Sequence, residues 1–170
     1  MNQGVRWLLV VLGVVGLGYL GWLNRPTEER RIRKVIEGMA VDATFTGGEG
    51  NISRIAKIES LGNRFAVDAE LHVDPVLPFD SALTGRDAIK GLLMMGTPQI
   101  GSVEVKVHDV QVTLTGDTEA RVSMTASAKT GGKRGDFTAQ EFDIRMVKTE
   151  GKWLVRRVDV VAGFRRSGGR

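Results

Sequence analysis

Trp7 to Leu23, WLLVVLGVVGLGYLGWL, runs seventeen residues without a charge between Arg6 and Asn24-Arg25-Pro26. At about 1.5 Å per residue it reaches roughly 25 Å, the short end of what crosses a hydrocarbon core of about 30 Å. Trp7 and Trp22 stand at its ends with Tyr19 nearby, where amphipathic rings settle at headgroup level. A cleaved signal peptide fits poorly, because Gly21-Trp22-Leu23-Asn24-Arg25 is bulky or charged rather than A-x-A-like. The reading is an uncleaved single-pass anchor in the bilayer. Its glycines, Gly13, Gly16, Gly18 and Gly21, never fall four apart, so no GxxxG pair supports helix dimerisation.

The side of the membrane is contested by two signals. Arg25, Arg30, Arg31, Arg33 and Lys34 follow the span and only Arg6 precedes it, which by the positive-inside rule holds the domain in the cytoplasm. A six-residue tail and one anchor is also the layout of bacterial inner-membrane proteins that display a domain outside, and long domains translocate largely regardless of charge. The expectation taken is a bacterial inner-membrane protein with a periplasmic domain, the side remaining open.

The remaining chain has the size of one domain, so the division expected is 1–25 tail and transmembrane helix, 26–163 folded domain and 164–170 basic disordered tail. The absence of cysteine removes disulfides, thiol catalysis and cysteine-ligated metals, while 24 Lys plus Arg against 20 Asp plus Glu is too slight an excess to name an anionic partner. Thr27 as cap, Glu28 and Glu29 in the first turn, and Ile32, Val35, Ile36, Met39, Ala40 and Ala43 at helical spacing predict a helix. Its other face carries Arg30, Arg31, Arg33 and Lys34, a solvated face or an anionic-lipid surface. A second helix follows, capped by Asn51, with Ile52, Ile55, Ile58 and Leu61 inward and Gly62 as stop.

At Phe65 the period becomes two, with Phe65, Val67, Ala69, Leu71 and Val73 on the buried side of a strand that Pro75 and Pro78 end. Thr84, with Asp87 three residues on, opens a third helix filled by Ala88, Ile89, Leu92, Leu93 and Met95. Four long strands complete the chain. In the first of them Val103, Val105 and Val107 hold one phase and Val110, Val112 and Leu114 the other, which predicts a bulge at His108-Asp109.

This order predicts an α+β cone, a curved antiparallel sheet wrapped around helices. LTGRDAIKGLL, Leu83 to Leu93, and EGKWLVRRVDV, Glu150 to Val160, resemble the loop-into-helix segment and the last hairpin of the nuclear transport factor 2-like or SnoaL-like superfamily, over about Thr27 to Gly163. The resemblance implies a cystatin-like cone with a cavity, here lined by Ile36, Met39, Leu93, Met124, Phe142 and Trp153, open to a small apolar ligand. It also implies binding, assembly or catalysis alike, since fold does not imply function. Tethered members resemble assembly components of bacterial envelope machines, including the periplasmic core component of type IV secretion systems. The function expected is therefore binding or assembly with a protein partner or a small apolar ligand, and a homodimer through the open sheet face.

The alternative is an acid–base enzyme. Asp74-Pro75-Val76 is similar to the Asp-Pro-Val that carries the proton-transferring aspartate in ketosteroid isomerase-like members, which would make Asp74 the base. Such chemistry also needs an acid for the oxyanion. The single tyrosine, Tyr19, lies in the apolar run, leaving Glu141 or Asp143 to replace it. His72 between Glu70 and Asp74 reads as a wet strand face rather than a metal cluster, so no metal and no cofactor is expected. Phosphate loops, dinucleotide fingerprints and nucleophile elbows are absent, and Phe164 to Arg170 is basic without interleaved aromatics, so no nucleic-acid partner is expected.

Overall fold

The computed structural model describes residues 27–72, 83–97, 101–131 and 137–166, of which 162–166 by backbone alone. The apolar run Trp7–Leu23 and Asp74 lie outside the described residues. Among the described residues no helix is long and apolar enough to cross a membrane.

Helix α1 spans Glu28–Asp42, α2 Asn51–Gly62 and α3 Arg86–Gly96. Strands β1 (Phe65–His72), β2 (Leu83–Thr84), β3 (Val103–Leu114), β4 (Glu119–Thr130), β5 (Phe137–Thr149) and β6 (Lys152–Arg166) form one six-stranded sheet in the order β2-β1-β6-β5-β4-β3. Every pairing is antiparallel except β1 with β6, which makes the sheet mixed where the sequence pattern predicts a purely antiparallel one. Alternation cannot report strand direction, and the helical excursion between β1 and β3 brings β1 beside β6 rather than beside its neighbour in sequence.

The core follows from two periods meeting. Ile32, Ile36 and Ala40 repeat every four residues along α1 and are buried, while Ala120, Val122, Ile144, Met146, Val155 and Val158 are the inward positions of β4, β5 and β6. Glu150 and Gly151 both adopt positive φ, 51° and 76°, the conformation of a tight primed turn, and this fixes the β5–β6 register at Thr149 opposite Lys152. The expected bulge in β3 is present. Register shifts between His108 and Gln111, Asp109 sits at φ 53°, and Val103, Val105, Val107, Val110 and Val112 consequently all remain half-buried on one face.

Several expectations are corrected. Val67 is 75% exposed because β1 bulges, four residues from Ala66 to Ala69 standing against Arg156 alone. Ile52 and Ile55 are 86% and 52% exposed, since α2 meets the core only through Ile58, Leu61 and Gly62 in its last turns. Met95 is exposed as well. The caps shift by one: Gly50 precedes α2, and Gly85, at φ 99°, precedes α3 with its N–H donating to Ala69 O at 2.7 Å. Thr84 belongs to β2 instead. Strand β6 pairs with β5 through Arg166, three residues past the domain end placed at 163.

Candidate functional site

The six residues proposed to line a cavity come together at one core. Ile36 and Trp153 are buried within it, and Met39, Leu93, Met124 and Phe142 are half-buried against it. Burial falls along the strands in a regular way. On the inward face of β4 Ala120 and Val122 are 3% and 0% exposed and Met124 is half-buried, and on β5 Met146 and Ile144 are 2% exposed and Phe142 half-buried. The cone is thus closed toward the β5–β6 turn and looser at the far end.

Trp153 secures the closed end. Its indole Nε1 donates to Glu28 Oε2 at 2.6 Å, Lys148 Nζ lies 3.0 Å from the same oxygen, and that ammonium stands 5.8 Å from the tryptophan ring centre. The indole and Lys148 together hold the Glu28 carboxyl below its ordinary value. Arg31 completes the group at 3.1 Å from Glu28.

Of the titratable residues singled out in the sequence, Glu141, Asp143 and His72 sit elsewhere. Glu141 is exposed and lines a shallow cleft of about 370 Å³ with Asp109, Gln111 and Ser123, which Met124 and Phe142 also border, while strand alternation sets Glu141 in the phase opposite Phe142 and Ile144. An acid for the cone interior would have to occupy the other phase of β5, so the structure does not bring Glu141 to the apolar face. His72 Nε2 is 3.3 Å from Glu70 Oε2 and its Nδ1 4.0 Å from Asp159 Oδ1. Both carboxylates also face Arg157, at 3.3 and 2.9 Å, so the cluster is an ion-pair lattice. The Arg157 guanidinium holds Asp159 below the usual carboxylate range. Among the described residues no three His, Asp or Glu side chains are grouped to hold a metal ion.

Arg30, Arg31, Arg33 and Lys34 are all exposed on α1. Arg33 Nη2 donates to Val110 O at 2.8 Å, tying the helix to β3 just past its bulge.

Sequence reasoning missed the outer face of the sheet. Arg121, Arg145 and Arg157 stand directly opposite one another on β4, β5 and β6, with Ser123, Asp143, Asp159 and His72 forming the next row. The signal is the polar phase of each strand, but rows across strands become visible only when register is known.

The fold is shared with solved structures of low sequence identity. A protein named as a candidate scytalone dehydratase from Novosphingobium aromaticivorans superposes with TM-score 0.64 at 18% identity, covering 81% of this chain and 86% of that one. A protein from Kribbella flavida gives 0.65 at 13%, covering 80% and 90%. A nuclear transport factor 2-like protein of unknown function from Pseudomonas putida gives 0.63 at 15%, covering 81% and 88%. No match was found among curated proteins. The model of the SnoaL-like domain matches residues 56–159, from α2 through most of β6, and with more than half of its length inside that match the chain belongs to the SnoaL-like domain family.

Proposed function

We propose that this SnoaL-like domain works by binding, that Trp7–Leu23 anchors it in a bacterial inner membrane with the domain on the periplasmic side, and that its cone takes a small apolar ligand at the looser end. The observation that carries the binding reading is the burial gradient: the same apolar face of β4 and β5 that is sealed at Val122 and Ile144 is only half covered at Met124 and Phe142. Half-buried apolar side chains gain from an apolar occupant by roughly 25 cal/mol per Å² removed from water. Glu70 of β1, Asp143 of β5 and Asp159 of β6 are on the other face, where they pair with Arg157 and Arg121, and His72 lies beside Glu70 there.

The test is a titration of the full chain with a fluorescent apolar probe such as 1-anilinonaphthalene-8-sulfonate. Saturable binding lost in Met124→Trp and Phe142→Trp, with the fold retained, is the expected result; binding unchanged by either filling substitution overturns the ligand. The exposed Ile52 and Ile55 on α2 with Met94 and Met95 on α3 support contact with a protein partner. Side is read from reporters fused after Arg170, and a cytoplasmic signal overturns the periplasmic placement.

A second reading is acid–base catalysis with Asp74 as base, favoured by the likeness to a structure named as a candidate dehydratase. Asp74→Asn then abolishes turnover of a dehydratase-type substrate, and unchanged turnover removes the reading.

A further inference from the structure

The outer face of the sheet holds a row of three arginines that the strands place at one level. Arg121 is opposite Arg145 and Arg145 opposite Arg157, on adjacent strands about 4.8 Å apart. Like charges directly opposite one another repel, so such a row persists only where counter-charges offset it. Two members have them. Arg121 Nε donates to both oxygens of Asp143 at 2.9 and 2.8 Å, and Arg157 Nε donates to both of Asp159 at 3.0 and 2.9 Å with Glu70 at 3.3 Å from its Nη1. Arg145, the middle one, is exposed and forms no ion pair within 4.0 Å among the described residues, its charge reaching Asp159 only at longer range.

A fourth guanidinium is added by a bulge. Opposite β5 the register of β6 slips between Arg145 and Met146, which leaves Arg156 unmatched and exposed beside Arg157, 3.1 Å from Asp68. Over these side chains lies a groove of about 670 Å³ that reaches from Thr84 on β2 to Thr115 and Glu119 at the β3–β4 turn, with Arg121, Arg145 and Arg157 along it.

We propose that this groove binds a small molecule through a carboxylate or phosphate group seated on Arg145, between Arg121 and Arg157. A planar guanidinium presents two parallel donors to such an oxyanion, and the incoming charge supplies what the row lacks at its centre. Asp68, Glu70 and Glu119 at the margins set the class. They repel a polyanion or a nucleic-acid backbone and admit a ligand with one anionic head. The site lies on the opposite side of the sheet from the cone, and it does not depend on the cone's occupant.

The experiment titrates the full chain, in neutral detergent at low ionic strength, with inorganic phosphate and separately with succinate, following the arginine Nε–H resonances. One saturable site is expected, weakened about tenfold or more in Arg145→Gln, partly retained in Arg145→Lys, and unchanged in the distant Arg33→Gln. Equal weakening in Arg145→Gln and Arg33→Gln shows general charge screening and overturns the site. A dimer that Arg145→Gln dissociates in sedimentation, with no phosphate or succinate effect on the wild type, also overturns it and gives the face to a second copy. Where binding is found, vesicles containing phosphatidylglycerol tell the source: competition with phosphate assigns a lipid headgroup, and its absence a free metabolite.

Discussion

The two ends of the cone use the same kind of side chain for different purposes. Toward the β5–β6 turn the inward residues of β4 and β5, Ala120, Val122, Ile144 and Met146, are buried under α1, and Trp153 hydrogen-bonds to Glu28 across their rim. Two residues further along each strand, Met124 and Phe142 are no less apolar and are only half covered. Composition does not separate these ends; what lies over them does. The closed end has the packing that stabilises a fold, and the other retains apolar surface that binding can remove from water.

The sharpest way to break this comparison is a matched pair of truncations. Ile144→Ala deletes a 2% exposed side chain and leaves a cavity, which costs about 2–5 kcal/mol in denaturant unfolding. Met124→Ala removes a half-buried side chain and costs about 1 kcal/mol. Equal losses would show that the two ends are packed alike and would remove the basis for a ligand at the far end. Next in size is Trp153→Phe, which deletes the indole donor to Glu28 and is expected to cost about 2 kcal/mol, from a charge-assisted hydrogen bond and a smaller ring. Its signature beyond stability is a rise of the Glu28 pKa, read by carbon-detected NMR, because the largest cause of its lowering is gone.

Acid titration separates the cone from its surroundings. Glu28, Asp159 and Glu49 all have lowered folded-state values, Glu49 to about 2 through the Lys57 ammonium and the Ser53 hydroxyl. A depressed carboxylate adds stability that is complete above its unfolded value and disappears as pH falls through the folded one. Unfolding midpoints are therefore expected to be flat near neutrality and to fall from about pH 4.5 toward 2. Glu49→Gln removes part of that slope, and an unaltered slope would mean that the Glu49–Lys57 pair, 2.8 Å apart in the structure, is not held in solution.

How far the sequence could be read differs by region for physical reasons. Long periodic elements were legible: α1, the second and third helices, β3 through β6 and the β3 bulge all follow from apolar spacing, because Val110 and Val112 cannot share a face with Val107 without an extra residue. The chain of tertiary choices was not. Nothing in Phe65 to His72 reports a parallel partner, and Val67 left the core because β1 bulges against β6. Ile52 and Ile55 have core spacing, yet α2 is covered only in its second half. The apolar residues packed against the core follow the period of each element, whereas the arginine row across β4, β5 and β6 is visible only once two strand registers are known.

The smallest expected effect concerns the residue that lets β3 serve both ends. Asp109 occupies φ 53°, where aspartate is tolerated and glycine unstrained, and by using one extra residue it keeps Val107 and Val110 on the same side. Asp109→Gly relieves that conformation and also frees the unfolded chain, two terms of about 0.5–1 kcal/mol and opposite sign, so stability is expected to change little. Asp109→Val, with a branched side chain at positive φ, is expected to lose about 1–2 kcal/mol. The pair sharpens the comparison because the bulged residues Asp109 and Val110 stand against Met124, between the His108–Thr125 and Gln111–Ser123 pairs, where β4 passes from buried to half-buried. If Asp109→Val weakens apolar-probe binding at the far end more than its stability loss explains, the bulge shapes the binding surface. If binding only follows stability, its role ends with register.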